Sequence, residues 1–442
     1  MSDIEFINIA FDAPWTYCVA VIGATFFLYL LLRRYLHAGV FDPFFVGFVF
    51  AYGISYGSLL FLMIREEVSI TKGQVFLLYL LVFIVTFTNA SHRKLRASRS
   101  FESPARATEL SKLHFGLLAC SVIYFGASIA YVSKAGIPLF AEYNRFQQAS
   151  GSGLYIRVTD ALSPILLSLL VIGSLVSNQK RRYYRLGAIL FVVISAAMSG
   201  AKISVLFSVL TVILVVSMLG RIDRWFLMRS TFLVGLGVLA ALLALHINNL
   251  NNAIVEGDTQ TSITGVGLVI EKFVYRVMAF ADTLYMLVPE DIIDELAPVP
   301  IHMQIVSAFL GSGYANELFQ IDINELVLGR QAILHHHPGL EVAGGPSTHF
   351  DLFAYHQFGI SGGAVYVGVV GVILGILNKR LSMNSVGSGL RLDPILVAIN
   401  ASLWVRGILL LNAPVLGFAF LVEILVVWFF LKYGYALLRG PV

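Results

Sequence analysis

The sequence is short of the residues on which soluble and secreted proteins depend. Only 13% of its 442 residues are charged, against about a quarter in soluble domains. It has two cysteines, Cys18 and Cys120, both within apolar runs, so neither a disulfide framework nor a thiolate metal site is expected. Hydrophobic residues make up 58% of the chain. This composition excludes an ordinary soluble domain and indicates a chain that lies within a lipid bilayer.

The first residues also lack the basic segment of a secretory signal peptide, since Asp3 and Glu5 are acidic. The first apolar run is therefore expected to stay attached as a membrane span. Runs of about 20 apolar residues predict transmembrane helices, and the chain has eleven candidates. Their approximate ranges are 15–32, 41–63, 73–90, 113–133, 158–177, 186–199, 203–220, 230–247, 361–378, 394–412 and 415–432.

Lysine and arginine are concentrated in every second loop, which together carry 20 of the 30 basic residues. The positive-inside rule makes these loops cytoplasmic, so the N-terminus is predicted to be periplasmic and the C-terminus cytoplasmic. We therefore predict an all-α polytopic membrane protein with about eleven spans, built as a single transmembrane domain over residues 1–442. A large, partly helical periplasmic loop is predicted at residues 248–360.

Ten basic residues fall on the outer face or in a span close to it, where topology gives no reason for a cation. Arg65, Lys72 and Lys134 are interpreted as solvated loop residues. The others are candidates for binding an anion, and they are Arg145, Arg157, Lys202, Lys272, Arg276, Arg330 and Arg406.

Residues 265–287 show the periodicity of an amphipathic helix, with Lys272 and Arg276 on one face and apolar residues on the other. Such a helix could lie on the bilayer surface with its basic face at lipid headgroups. Alternatively, it packs over the helix bundle and its basic face is only solvated. The sequence leaves both readings open.

The segment 344–358 is richest in candidate chemistry. Thr348 followed by Asp351 resembles a capping box ahead of an apolar run, and the preceding glycines suit a tight loop. A helix N-terminus of this kind favours phosphate. His349 would lie in the first turn, where the helix dipole lowers its pKa and keeps the neutral imidazole that a general base requires. The alternative is that His349 only bonds a neighbouring loop.

Several further residues have an expected partner or role. Arg406 and Glu423 flank one predicted turn at similar distances, so we expect a buried ion pair about 10–13 Å below the outer surface, or part of a substrate cavity. Arg157 and Asp160, three residues apart, are expected to pair as well. The run 335–337 is three histidines without spaced partner ligands, so no metal site is expected there.

Four short motifs follow one another in the order found in one family of membrane enzymes. They are residues 136–140 with Asn144-Arg145, then 199–202, 345–349 and 358–362. Together with the pattern of spans, they make residues 110–380 resemble the O-antigen polymerases, which are oligosaccharide repeat-unit polymerases.

The resemblance implies a GT-C-like fold related to O-antigen ligases and an inverting, metal-independent glycosyltransferase without a cofactor. Such enzymes transfer a growing glycan from undecaprenyl diphosphate to another undecaprenyl-diphosphate-linked repeat unit, at the periplasmic face of the bacterial inner membrane. Membrane lipid and a chain-length regulator protein are further implied partners, and nucleic acid is not.

By position, Arg145 matches the arginine of the family's first large outer loop, and Lys202 stands where the family turn carries arginine. His349 is then expected to deprotonate the acceptor hydroxyl. The residues expected to hold the donor diphosphate are Arg145, Lys202, Lys272, Arg276 and Arg330. Further substrate contacts are expected from Tyr143, Thr348, Asp351 and Arg406.

Three other functions stay open at this point. An O-antigen ligase would differ in its acceptor, which is lipid A core instead of another repeat unit. A lipid-linked oligosaccharide flippase or transporter would be favoured by helices broken at mid-membrane and by inverted repeats. A membrane-assembly scaffold would leave the outer cations without a role.

Overall fold

The structure, a computed structural model, describes residues 1–91, 107–137, 151–177, 179–199, 202–219, 274–275, 277–339, 345–385 and 393–439. At residues 107–108, 199, 202–204, 383–385 and 439 it describes the backbone alone. Within these ranges the regular elements are helices, and no strand is present.

The helices fall into three groups along the chain. The first comprises α1 (Asp3–Asp12), α2 (Pro14–Leu32), α3 (Ala51–Ile64), α4 (Ile70–Ala90), α5 (Ala107–Ala135), α6 (Gly153–Val176), α7 (Arg181–Ser199) and α8 (Lys202–Met218). Short helices follow as α9 (Asp282–Leu287), α10 (Ile292–Glu295), α11 (Ile301–Leu310), α12 (Ser312–Phe319), α13 (Ile323–Leu326) and α14 (Leu328–His336). The last group comprises α15 (Phe350–Ser385), α16 (Pro394–Gly407), α17 (Leu409–Asn412) and α18 (Pro414–Arg439). A π-helix, Phe45–Phe50, precedes α3, and 3₁₀ turns occupy Arg33–Tyr35, Gly39–Phe41, Ala279–Ala281 and Pro289–Asp291.

Eight helices of the described chain are long and apolar enough to cross a membrane, in agreement with the predicted polytopic helical protein. They are Pro14–Tyr35, Phe45–Ile64, Ile70–Ala90, Glu109–Ala135, Gly153–Val176, Phe350–Ser382, Pro394–Asn412 and Pro414–Leu438. The sixth and seventh predicted spans form α7 and α8, which do not meet the same standard of length and hydropathy. The predicted span 230–247 lies outside the described residues, so the count of eleven and the orientation stay predictions.

The centre of the bundle is formed by α16 and by the span that contains α3. In the span that contains α16, 83% of the residues in the most apolar stretch are buried, and in the span that contains α3 the share is 72%. The corresponding share for α2, at the periphery, is 11%. Trp404 of α16 and Tyr52 of α3 are among the largest fully buried side chains. Because lipid tails are as apolar as these side chains, close packing stabilises the bundle more than exclusion from water does.

Small residues let α3 approach α2 closely and so determine which face of α3 turns inward. A methyl group on Gly57 would lie 2.4 Å from the Cα of Val21, and one on Gly53 would lie 2.6 Å from the Cα of Thr25. This spacing of four residues is the small-residue pattern that favours close helix contact in membranes. The opposite face of α3, which carries Tyr52 and Ser55, therefore points toward the segment before α15.

A buried aspartate fastens the start of this central span. Asp42 accepts hydrogen bonds from the backbone amides of His37 (2.7 Å), Ala38 (3.3 Å) and Phe44 (2.9 Å). It also accepts one from the indole Nε1 of Trp404 at 2.9 Å. The carboxylate thus caps the entry to the Phe45–Ile64 span and joins it to α16.

The segment from residue 277 to 339 forms short helices over the ends of the spans that are predicted to face outward. Lys72, at the start of α4, forms ion pairs with Asp291 (2.9 Å) and Asp294 of this segment. The prediction that Lys72 is a solvated loop residue is therefore wrong, because its side chain is only 11% exposed. Its partners lie more than 200 residues away along the chain, so local sequence does not reveal them.

The structure decides one open helix reading in this region and corrects the start of the late span. Thr283 to Leu287, within the predicted amphipathic helix 265–287, are buried, so its described end packs over the bundle and does not lie on lipid. Phe280 contacts Phe50, the last residue of the π-helix before α3, with ring centroids 5.8 Å apart. The late span begins at Phe350 and not near residue 361, and it is broken at Gly359, whose φ of 63° and ψ of −169° are not helical.

Candidate functional site

The segment 345–349 is held against α9 and α14 before α15 begins. The backbone amide of Gly329 donates to Thr348 Oγ1 at 3.3 Å, and the hydroxyl of Thr283 donates to the carbonyl of Ser347. Gly329 and Gly345 allow this contact, because a methyl group on Gly345 would lie 2.8 Å from the carbonyl oxygen of Gly329. The glycines before His349 thus serve close packing of the backbone against α14.

His349 lies at the end of this segment and is only 2% exposed. Its Nδ1 lies 3.2 Å from Ser55 Oγ, its ring lies 4.8 Å from that of Tyr52 between centroids, and the backbone of Phe280 forms a further hydrogen bond with it. Burial lowers the pKa of His349, while Asp351 and the Phe280 hydrogen bond act in the opposite direction. Burial therefore favours the neutral imidazole and is the largest cause of the lowered pKa.

Asp351, two residues later, is fully buried and bonded on both oxygens. Its Oδ2 accepts from the phenol of Tyr56 at 2.6 Å, and its Oδ1 accepts from the backbone amide of Leu352 at 2.9 Å. Tyr52 continues this network, since its hydroxyl accepts from the Phe350 amide at 3.3 Å and donates to the carbonyl of Leu411. The network joins α3, α15 and α17 through buried polar groups.

These contacts change the predicted geometry of the segment. The predicted capping box does not form, because Thr348 bonds the amide of Gly329 and Asp351 bonds Tyr56. His349 precedes the helix instead of lying in its first turn, since α15 begins at Phe350. A base must reach its substrate, and this ring packs among protein groups. Its catalytic role stays a prediction that requires the ring to leave Ser55.

A second polar centre lies between α6, α16 and α18. Arg406 donates through one terminal nitrogen to the backbone carbonyl of Asp160, and the same nitrogen lies 3.4 Å from Asp160 Oδ1. The guanidinium of Arg406 lies 4.8 Å from the ring centroid of Phe420, and that of Arg157 lies 5.9 Å from the same centroid. Arg157 and Glu423 also interact electrostatically with these charges. We call Arg157, Asp160, Arg406 and Glu423 the outer charge cluster.

The outer charge cluster corrects the predicted pairing. Within the described residues, Arg406 forms its ion pair with Asp160 and not with Glu423. Buried atoms of three members, Nε of Arg157, Nε of Arg406 and Oε2 of Glu423, form no hydrogen bond with a residue that the structure describes. Such atoms are costly in a membrane unless a partner arrives. Each of the two arginines therefore retains a hydrogen-bond donor that no described group uses.

The cluster lies near the ends of its helices that are predicted to face outward. Asp160 is seven residues from the start of α6 and Arg406 is seven residues before Ala413, which corresponds to a depth of about 10 Å. Helix α11 packs against α6 and α18. The backbones of Gly153 and Gly311 are so close that a methyl group on Gly153 would lie 2.8 Å from Gly311 Cα. The short helices thus border the cluster on its predicted outer side.

The remaining predicted site residues are only partly placed. Tyr143, Arg145, Lys272 and Arg276 lie outside the described residues, and of Lys202, the first residue of α8, only the backbone is described. Arg330 is 9% exposed on α14, beside the Gly345–Pro346 loop. The predicted convergence of these cations on one site therefore stays a prediction.

Sequence reasoning missed Tyr52, Ser55 and Tyr56 as partners of the His349 segment. They lie at positions i, i+3 and i+4 of one helix face inside an otherwise apolar span. That spacing of hydroxyl groups was the available signal, because polar groups within a span face protein or a cavity. Which residues they contact depends on packing between helices.

No protein-family model, no characterised protein and no solved structure matches this chain.

Proposed function

We propose that this protein polymerises undecaprenyl-diphosphate-linked oligosaccharide repeat units at the periplasmic face of the bacterial inner membrane. The proposal combines the motif resemblance with eight apolar helices that suit a polytopic membrane enzyme. A substrate that carries both a lipid tail and a diphosphate needs cations close to the membrane surface. The outer charge cluster supplies two such cations, Arg157 and Arg406.

The single observation that carries the proposal is the pair of arginines at Phe420. Arg157 and Arg406 lie against the same ring, and each has a buried Nε without a hydrogen bond to any described residue. Guanidinium groups bind diphosphate oxygens by paired hydrogen bonds, and a low dielectric strengthens this attraction. Asp160 and Glu423 place two acidic groups beside these arginines.

In the proposed reaction, an acceptor hydroxyl attacks the anomeric carbon of the donor glycan from the side opposite the diphosphate. The bond between that carbon and the phosphate oxygen breaks, and its electron pair leaves with the diphosphate. Arg157 and Arg406 stabilise the developing charge, helped by the predicted outer cations Arg145, Lys202, Lys272, Arg276 and Arg330. His349 accepts the hydroxyl proton once its ring turns from Ser55.

The test is a polymerisation assay on the purified protein, with lipid-linked repeat units as donor and acceptor. The single variants Arg157→Ala and Arg406→Ala are expected to reduce the initial rate at least about 100-fold, as for loss of one oxyanion donor. The initial rate of Arg406→Lys should fall between those of the wild type and Arg406→Ala, because lysine keeps the charge and loses the paired geometry. Arg65→Ala, at an exposed arginine, is the matched control. Wild-type rates from a folded Arg157→Ala, Arg406→Ala double variant would refute the site.

A second candidate, a lipid-linked oligosaccharide transporter, is favoured by the break in α15. Gly359 interrupts a span, and the hydroxyl of Tyr79 lies 2.9 Å from the carbonyls of both Gly359 and Ile360. Discontinuous helices are common at transporter binding sites. Vesicles containing the protein separate these functions: a transporter moves labelled lipid-linked repeat units across the bilayer without joining them. Transfer to lipid A core instead of another repeat unit would identify a ligase.

A further inference from the structure

A partly open cavity of about 320 Å³ lies beside the loop that leads to His349. Its volume falls at the lower end of the range of about 300–1,000 Å³ for small-ligand sites. The lining comes from α1, from Tyr275, from residues 278–286, from α14 and from the Gly345–Pro346 loop. Among the lining residues are Asp3, Ile7, Asp282, Tyr285, Ile333 and Pro346.

Packing between α1 and α9 gives this cavity its shape. The rings of Phe6 and Tyr285 stack, with centroids 4.1 Å apart and planes at 9°. Ser2 and Glu5 form a capping box that fixes the first turn of α1. Asp3, in that turn, therefore lines the same cavity as Asp282 from the opposite helix.

Each of the two carboxylates has an oxygen without a hydrogen bond from a described residue. Asp282 Oδ1 accepts the backbone amide of Thr283 at 2.7 Å, while its other oxygen receives no hydrogen bond from a described residue. Asp3 Oδ1 is buried and has no hydrogen-bond partner in the described part of the chain. Burial is the largest influence on Asp282 and raises its pKa to about 7. Unfilled acceptors in a confined space favour a ligand that donates hydrogen bonds.

The lining also limits the class of ligand. Its described members include neither lysine nor arginine, so the two carboxylates would repel a phosphate. Within the described chain, no group of three or more His, Cys, Asp or Glu residues could hold a metal ion. Aliphatic and tyrosine side chains complete the wall. Acceptor oxygens beside an apolar wall suit a sugar ring, which offers several hydroxyl donors and apolar C–H faces.

We propose that this cavity binds one sugar ring of the glycan, whose hydroxyl groups donate to Asp3 and Asp282. This inference rests on the proposed function, because it assigns the sugar and the diphosphate of a lipid-linked substrate to two different sites. The cavity borders the segment 345–349 through Thr283, whose hydroxyl donates to the carbonyl of Ser347. Phe280, between two lining residues, also bonds His349 through its backbone.

Saturation-transfer difference NMR on the full-length protein in detergent micelles tests this site. The probes are the methyl glycosides of glucose, galactose, N-acetylglucosamine and rhamnose, each measured in EDTA. At least one should give signals with the wild-type protein. Asp282→Asn, which keeps the shape of the side chain, should weaken those signals at least fivefold. Ala279→Phe should abolish them, because Ala279 lines the cavity and a larger side chain fills it.

Glu295→Gln is the matched control, since Glu295 is an exposed acid on α10 outside the cavity lining. It should leave the signals unchanged, and thermal unfolding should show that all three variants fold. Absence of signal from all four glycosides, or equal signals from Asp282→Asn, Ala279→Phe and wild type, would overturn the proposal.

The sugar site and the proposed function can fail separately. If the wild-type protein extends lipid-linked repeat units and Asp282→Asn keeps full glycoside signals, the sugar site is wrong and the polymerase stands. If the signals respond as expected while no polymer, flipped lipid or ligated product forms, the sugar site stands and the polymerase proposal fails.

Discussion

The phenol hydroxyl of Tyr56 donates a 2.6 Å hydrogen bond to the buried carboxyl group of Asp351, 295 residues away in the sequence. Tyr56→Phe removes this donor and leaves one carboxyl oxygen without its partner. We expect a loss of about 1–3 kcal/mol of stability, measured as a lower midpoint of thermal unfolding in detergent. Tyr366→Phe is the matched control, because the Tyr366 hydroxyl forms no hydrogen bond with a described residue. Equal midpoints for the two variants would show that the contact contributes nothing.

Asp42 should be among the most sensitive acidic positions. Asp42→Ala leaves three backbone amides and the Trp404 indole without their acceptor. At about 1–3 kcal/mol for each of the four buried groups left unpaired, the loss should be at least about 4 kcal/mol. Unfolding in a denaturant series measures it. Asp12→Ala, at an exposed acid at the end of α1, should change stability by less than about 0.5 kcal/mol.

Close packing of α2 against α3 predicts a position-dependent effect of enlarging a glycine. Gly57→Leu inserts a side chain where a methyl group would already lie 2.4 Å from Val21 Cα. It should lower the thermal midpoint and expose new sites to protease. Gly23→Leu on α2 is the control, because the space around Gly23 is open within 4 Å. A Gly57→Leu variant as stable as the Gly23→Leu variant would contradict the observed helix contact.

Burial of Asp282 predicts that stability falls as pH rises. Its pKa is 3.8 when solvated and about 7 in the folded protein, so the folded state binds more protons between these values. The loss of folding free energy caused by ionising buried Asp282 grows from pH 3.8 to pH 7 and then stays constant, reaching on the order of 4 kcal/mol. Asp282→Asn should therefore raise the unfolding midpoint more at pH 8 than at pH 5. An equal change at both pH values would show that Asp282 is not buried as described.

Burial of His349 predicts that stability falls as pH falls. Its pKa is lowered from 6.5 by burial, so below pH 6.5 the unfolded chain takes up a proton that the folded ring does not. Its contribution to stability is present above pH 6.5 and is lost as pH falls further. His349→Gln should flatten the loss of stability between pH 6.5 and 5. The control is His302→Gln, at an exposed histidine. An equally flattened profile from His302→Gln would show that the burial of His349 does not cause the loss of stability.

Composition predicts the membrane helices because the apolarity of a run of about 20 residues is a local property of the chain. The same argument correctly placed Arg406 within a span, yet it chose Glu423 as its partner where the structure has Asp160. The choice failed because it compared distances along two helices and could not know that α6 lies beside α16. The prediction that Lys72 is a solvated loop residue failed for the same reason, since Asp291 and Asp294 become its neighbours only on folding.

The sequence by itself determined that this protein is built from apolar helices and roughly where the described membrane-spanning helices lie. Tertiary structure alone decided which groups the charged side chains and hydroxyls contact. It buried His349 against Ser55, began α15 at Phe350 and gathered Arg157 and Arg406 around Phe420. The physical reason is range: hydropathy acts within one segment, whereas hydrogen bonds and ion pairs join residues that become neighbours only when helices pack.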